Sequence, residues 1–166
     1  MTPEELRTVA RRLPTGVTVV TSGRGDDMHG MTVNSFATLS LTPPLVNFSL
    51  RHGTRITALI ESTGGFVVNV LGADQHALAR RFADPDRPTG TECFTAVETA
   101  GAPASGGMRL AGTVGHFTCR TAHLVEAGDH TIIVGAVEEC ATTGTADPLL
   151  FVNGEFRPVP EGSRGG

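Results

Sequence analysis

Short runs of β-branched and aromatic residues, each closed off by Gly or Pro, limit this chain most strongly, because they suit pleated, half-buried strands. Val17-Thr18-Val19-Val20-Thr21 is the first, and further runs lie at residues 45–50, 66–71, 110–119, 121–126, 131–138 and 149–153. Gly23-Arg24-Gly25-Asp26-Asp27 separates the first run from another extended stretch and reads as the turn of a hairpin. Helical spacing occurs in three places only. Thr2-Pro3-Glu4-Glu5 supplies a capping hydroxyl, a proline at the first helical position and an acid three residues after the cap, with Leu6, Val9, Ala10 and Leu13 following on one face. Residues 55–61 stand behind a Thr54 cap, and residues 73–82 place Ala77, Leu78 and Phe82 together. Strands and helices do not alternate regularly. A doubly wound parallel sheet is therefore disfavoured, and the expected fold is mainly β, an antiparallel barrel with a few peripheral helices.

With 166 residues, 39% of them hydrophobic, the chain suits a single domain, residues 1–166, with a packed core. Residues 84–107 hold three prolines and four glycines and form the one long excursion, and residues 162–166 are expected to fray. Thirteen Lys and Arg against seventeen Asp and Glu leave a formal charge of -4, which favours neither nucleic acid nor an anionic membrane as a partner. Charged residues make up only 18%, which points to surface covered by a second subunit. Cys93, Cys119 and Cys140 are far apart and form no C-x-x-C pair, so neither a disulfide framework nor a zinc knuckle is expected. The first twenty residues carry Glu4 and Glu5 and no apolar h-region, so a reducing cytoplasm is the expected compartment. Residues 30–50 are uncharged, yet eight Ser, Thr or Asn and the Pro43-Pro44 pair make them unlike a membrane helix.

That uncharged stretch carries the first candidate site. In Met31-Thr32-Val33-Asn34-Ser35-Phe36-Ala37-Thr38-Leu39-Ser40-Leu41, odd positions are mostly apolar and even positions mostly short and polar. One face belongs to the core. The other offers hydrogen bonds without long stems, which suits a flat heteroaromatic, although an ordinary solvated strand rich in Thr has the same composition. The next strand places Asn47, Ser49 and Arg51 on one face, and Thr54-Arg55 then opens a helix. Hydroxyls, a guanidinium and free helix N–H groups would converge there, as a phosphate requires, and a solvated turn with two arginines is the alternative. No G-x-G-x-x-G or G-x-x-x-x-G-K-[ST] occurs. The six histidines show no metal-ligand spacing, so no metal is expected. His130 stands in Gly128-Asp129-His130 just before a strand, where a side chain can face a cleft or simply sit in a surface turn. Arg80-Arg81 at a helix end complement the helix dipole.

Taken in order, several segments resemble the short-chain flavin reductase family, whose FMN-binding split barrels serve as reductase components of two-component flavin-dependent monooxygenases. They are Pro14-Thr15-Gly16-Val17-Thr18-Val19-Val20-Thr21, His29-Gly30-Met31-Thr32-Val33-Asn34-Ser35-Phe36, Ser40-Leu41-Thr42-Pro43-Pro44-Leu45-Val46, Phe66-Val67-Val68-Asn69-Val70-Leu71, Arg80-Arg81-Phe82-Ala83, Glu126-Ala127-Gly128-Asp129-His130-Thr131-Ile132-Ile133-Val134-Gly135 and Pro148-Leu149-Leu150-Phe151. Together they span residues 13–157. The resemblance implies a homodimeric, six-stranded antiparallel Greek-key split barrel with its flavin in a groove near the subunit interface. It implies that Thr32, Val33, Asn34, Ser35, Thr38 and Ser40 border the isoalloxazine and ribityl chain. Ser49, Arg51, Thr54 and Arg55 would receive the phosphate, Arg81 and Phe82 would lie near the flavin, and His130 would lie beside the nicotinamide.

The implied activity is hydride transfer from NADH or NADPH to N5 of FMN or FAD, with reduced flavin passed to a separate monooxygenase. A flavin- or haem-binding split barrel without turnover, or a same-fold enzyme with another small-molecule reaction, are the alternatives. Two departures from the family pattern stand out. Thr54-Arg55-Ile56 replaces the usual Ser-Arg-Thr, and Asp84-Pro85-Asp86-Arg87-Pro88-Thr89-Gly90 replaces a further Arg-Phe motif.

Overall fold

The computed structural model describes residues 1–160, so the expected fraying of 162–166 lies outside the described residues. Helix α1 (Pro3–Ala10) begins with both halves of the capping box: the Glu5 N–H donates to Thr2 Oγ1 at 3.2 Å and the Thr2 N–H to Glu5 Oε2 at 2.6 Å. The chain then forms β1 (Thr15–Gly16), β2 (Thr18–Ser22), β3 (His29–Val33), β4 (Ala37–Leu41), β5 (Pro44–Arg51), α2 (Arg55–Thr63), β6 (Gly65–Val70) and α3 (His76–Ala83). β7 (Thr99–Gly101), β8 (Arg109–Leu110), β9 (Gly115–Ala127), β10 (His130–Thr142), β11 (Leu150–Val152) and β12 (Glu155–Arg157) follow. The fold is mainly β with a few helices, as expected. Its main sheet has seven strands where six were expected, in the order β3-β2-β6-β9-β10-β5-β4, and every ladder in it is antiparallel.

That order forces the sheet to roll. β3 and β4 are its two edges, yet only residues 34–36 join them. Laid flat, six inter-strand steps would separate the edges by about 29 Å, whereas four Cα-to-Cα links reach at most about 14 Å. The residue run 31–41, which alternates like one strand, is therefore two edge strands and the corner between them. Phe48 on β5 and Phe66 on β6 meet inside the roll with centroids 5.2 Å apart at 84°, across two intervening strands. Gly135 on β10 makes room for this pair, since a Cβ there would stand 2.4 Å from Phe66 Cζ.

β2 is buried on both faces. Val20 joins an inner core with Val33, Val46, Phe48, Leu50, Ile56, Ile60, Phe66, Val68, Cys119 and Ile133. Val19 and Val17 join an outer core with Leu71, Ala79, Phe82, Cys93, Leu110 and Leu149. This explains why the run 17–21 is apolar without alternation, and its hydroxyls are satisfied internally, Thr18 Oγ1 donating to the Val33 carbonyl and Thr21 Oγ1 to the Met108 carbonyl.

Several features differ from expectation. Of the expected strands 110–119 and 121–126, residues 115–126 belong to one long strand, β9, and Leu110 to the separate β8; bulges near Val134 and Val137 let the β9–β10 hairpin bend without breaking. α3 starts at His76, since residues 73–75 form a turn in which Gln75 Oε1 accepts the Gly72 N–H. The apolar face of α1 is not covered: Leu6 is 55%, Val9 71% and Leu13 67% exposed.

Candidate functional site

β5 is the element on which the site is built. Val46, Phe48 and Leu50 point inward, so Asn47, Ser49 and Arg51 face out. Ser35 Oγ, at the corner between the sheet edges, donates to the Ser49 carbonyl and accepts its N–H, both at 3.1 Å. The corner is thereby fastened to the middle of β5. In the β5–β10 ladder Arg51 stands opposite His130 and Ser49 opposite Ile132, which puts Arg51 and His130 on one face. His130 Nδ1 is 2.7 Å from Asp129 Oδ1. A carboxylate only accepts, so Nδ1 carries the proton and Nε2 is left for another partner. The same hydrogen bond holds the exposed Asp129 carboxyl below its ordinary range.

The remaining candidate residues divide by what their side chains already do. Asn34, Ser35, Thr38, Arg51 and Arg55 are exposed, while Ser40, Ser49, Thr54 and His130 are half-buried. Asn34 and Thr32 line a small cleft of about 180 Å³ with Ala83, Phe151 and Phe156. Others already have partners within the fold. Thr32 Oγ1 is committed to the Ala79 carbonyl at 2.6 Å, and Val33 points into the core. Arg81 Nε donates to the Cys93 carbonyl at 3.2 Å, holding the 3₁₀ turn Gly90–Phe94. Phe82 is fully buried against Phe94, and a Cβ on Gly30 would stand 2.5 Å from its ring, so Phe82 packs and offers no open face. Thr54 occupies the N-cap of α2 but makes no side-chain cap bond; its hydroxyl lies 2.7 Å from Thr57 Oγ1. The N-terminal N–H groups of α2 therefore lack a side-chain acceptor.

Sequence reasoning left aside two residues that the structure joins to this region. His29, on β3, is 4% exposed, and Arg87 reaches it from the 84–90 turn with Nη2 3.0 Å from Nε2. Arg87 Nε also donates to the Gly30 carbonyl at 2.9 Å and Nη1 to the Asp84 carbonyl at 2.6 Å. Burial, then the charges of Arg87 and Arg55, push His29 down to about 4. The sequence signal was slight: one basic residue held between Pro85 and Pro88 in the segment that departs from the family pattern.

Among the described residues no His, Cys, Asp or Glu cluster could hold a metal, and no helix is long and apolar enough to cross a membrane. The arrangement offers a polar, uncharged strip, a cationic end and a positioned histidine. Residues 10–160 match the family model described as flavin reductase like domain. The chain belongs to this family.

It is 41% identical over 160 residues to an NADH-dependent FMN reductase of Streptomyces nodosus subsp. asukaensis, covering 95% of this chain and 85% of that one. The NADH:FAD oxidoreductase of Streptomyces globisporus, solved in complex with NAD and FAD fragments, superposes with a TM-score of 0.88 at 37% identity, covering 96% of this chain and 94% of that one. The flavin reductase component of a bacterial two-component tryptophan halogenase superposes with a TM-score of 0.89 at 34% identity, over 96% and 99% of the two chains.

Proposed function

We propose that this protein is an NAD(P)H-dependent flavin reductase that supplies reduced FMN or FAD to a separate flavin-dependent monooxygenase. One observation carries the reading: the Ser35–Ser49 bond joins the corner to β5, whose Arg51 shares a face with His130. The strip suited to a flat ring, the groups suited to a phosphate and a positioned imidazole thus lie around one strand. Membership of the family and the relatives' names support it. When bound, the flavin supplies the ring that accepts hydride and the nicotinamide supplies the hydride.

The chain's own residues bind and orient. Asn34, Ser35, Thr38, Ser40 and Ser49 give the ring and ribityl chain short donors and acceptors, while Arg51, Thr54, Arg55 and the α2 N-terminus give the phosphate positive charge and N–H groups. His130, held by Asp129, hydrogen-bonds the nicotinamide. Holding two planar rings at reacting distance can supply roughly 7–11 kcal/mol without an acid or base.

In the same reading residues 1–166 form one domain with Greek-key winding that works as a cytoplasmic homodimer. Exposed Leu39, Leu41, Leu124 and Val125 support a covered surface. The test is initial-rate oxidation of NADH and NADPH at 340 nm with FMN, FAD and riboflavin added in turn. Steady turnover that requires added flavin is expected. Flavin binding without turnover would refute the reductase reading, and sedimentation as a monomer at micromolar concentration would refute the dimer.

A further inference from the structure

The turn between β9 and β10 leads into His130, and beside it lies a cleft whose acidic wall the flavin reading does not use. It encloses about 250 Å³ between α2 and the hairpin, with His52, Ala58, Glu61, Glu126 and Thr131 among its lining residues. In the β9–β10 ladder Glu126 stands opposite Thr131 and Ala127 opposite His130, so this wall is one residue along from the histidine assigned to the nicotinamide. The His52 N–H donates to the Asp129 carbonyl at 3.1 Å, which ties the segment between β5 and α2 to the same turn. His52 Nε2 also lies 3.3 Å from Glu126 Oε2, so the carboxylate has a fixed neighbour although it is largely exposed.

Thr131 points to what the cleft would take. It is only 5% exposed, and among the described residues its hydroxyl has no hydrogen-bond partner. The hydroxyls of Thr15 and Thr121 lack partners too but are sealed from solvent, whereas that of Thr131 is not sealed and the residue lines the cleft. Thr57, on the α2 side, has already spent its hydroxyl on Thr54. A carboxylate only accepts hydrogen bonds, and a free hydroxyl can donate or accept. A neutral group with adjacent hydroxyls matches this set, giving its protons to a carboxylate and sharing one with Thr131. A phosphate does not, because it brings like charge against Glu61 and Glu126. Arg55 lines the cleft as well, but its single positive charge is outnumbered there by two carboxylates. The two nicotinamide dinucleotides differ in this respect: the adenosine ribose of NADH has a free 2′-hydroxyl and that of NADPH a 2′-phosphate.

We propose that this cleft takes the adenosine ribose of the hydride donor and that Glu126, with Glu61, makes the protein select NADH over NADPH. The inference rests on the reductase reading above, with His130 as the partner of the nicotinamide. Glu126 accepts from a ribose hydroxyl, Thr131 anchors the sugar, and like charge turns the 2′-phosphate away.

The test determines kcat and KM for NADH and NADPH at saturating FMN in the unmodified protein, Glu126→Gln and Thr131→Val, and titrates each protein by calorimetry with ADP-ribose and with its 2′-phosphate. The unmodified protein should favour NADH in kcat/KM about tenfold or more, through KM. Glu126→Gln should shrink that preference about fivefold or more and tighten the 2′-phosphate to match. Thr131→Val removes an unpaired hydroxyl with little change of shape, so folding does not confound it. It should weaken ADP-ribose and raise the NADH KM about fivefold or more at nearly constant kcat. An unmodified protein that is indifferent to the 2′-phosphate or prefers it would overturn the proposal. So would an NADH-to-NADPH ratio that Glu126→Gln leaves unchanged. Substitutions that alter KM for FAD but not for NADH would mean that the cleft holds the adenosine of the flavin, and would overturn it as well. If no turnover occurs with any flavin while ADP-ribose binds as expected, the reductase reading fails and the sugar site stands; with neither turnover nor binding, both fail.

Discussion

Acidification should strip stability from this protein through one side chain, His29. In the unfolded chain its imidazole titrates near 6.5, and in the folded protein near 4, because burial and two guanidinium groups disfavour the cation. Below pH 6.5 the unfolded state therefore binds a proton that the folded state refuses. Stability present above 6.5 is lost as pH falls towards 4, and no further loss from this group occurs below. The full gap is worth at most about 3.4 kcal/mol, and about 2.6 kcal/mol of it is expressed by about pH 4.5.

Relaxation and water entry on protonation reduce this to roughly 1–2 kcal/mol, or roughly 2–8 °C in Tm for a chain of this size. His29→Gln is the matched variant: it does not titrate, and its amide oxygen can still accept from Arg87. Thermal unfolding of both proteins between pH 7 and pH 4.5 isolates His29 from the carboxylates, which both share. The variant should lose visibly less Tm over that interval. Parallel profiles, or a native-state imidazole titrating near 6.5 by NMR, would refute the argument.

Other outcomes follow from packing and from the site. Gly135→Ala forces a methyl against Phe66 inside the roll and should cost about 1–3 kcal/mol in denaturant unfolding; an unchanged midpoint would show that the ring yields freely. Thr54→Ala loses a bond to Thr57 and no helix cap, so stability should change by less than about 1 kcal/mol while the FMN KM rises about tenfold or more at nearly constant kcat. Riboflavin, which lacks the phosphate, should respond little to that change, and equal responses would move the phosphate elsewhere. His130→Ala should mainly raise KM for NAD(P)H, and unaltered kinetics towards both substrates would remove it from the site. Of the three thiols only Cys140 is exposed, whereas burial holds Cys93 and Cys119 protonated, the latter up to about 12. One equivalent should therefore react rapidly with a disulfide reagent in the native state.

The strands and the capped first helix are legible in the sequence because they are local: Thr2 and Glu5 meet within one turn, and a run such as 66–71 announces its own extension. What the sequence hides is where a strand goes next. Alternation at residues 31–41 is indifferent to whether the chain runs straight or turns the corner at 34–36, so the crossing from one sheet edge to the other has no local mark. Side-chain commitments are hidden for the same reason. Thr32 and Arg81 have the right chemistry for a ligand, yet partners at Ala79 and Cys93 claim them. His29 and Arg87 lie 58 positions apart and become one unit only after folding. The common outward face of Asn47, Ser49 and Arg51 is legible because it follows from the alternation of one strand, whereas the register that sets His130 opposite Arg51 is not.

The two rims of the rolled sheet are finished differently. On β3 the Gly30 carbonyl is occupied by Arg87 and the strand is strapped to α3 through Thr32, so an incoming strand finds no free template there. β4 is exposed for most of its length, with Leu41 88% accessible. A sheet with one open rim can add a single neighbour there by main-chain pairing, and that neighbour's matching rim is used up in the process. The guanidinium on Gly30 thus leaves the main sheet a single rim at which strand addition could occur.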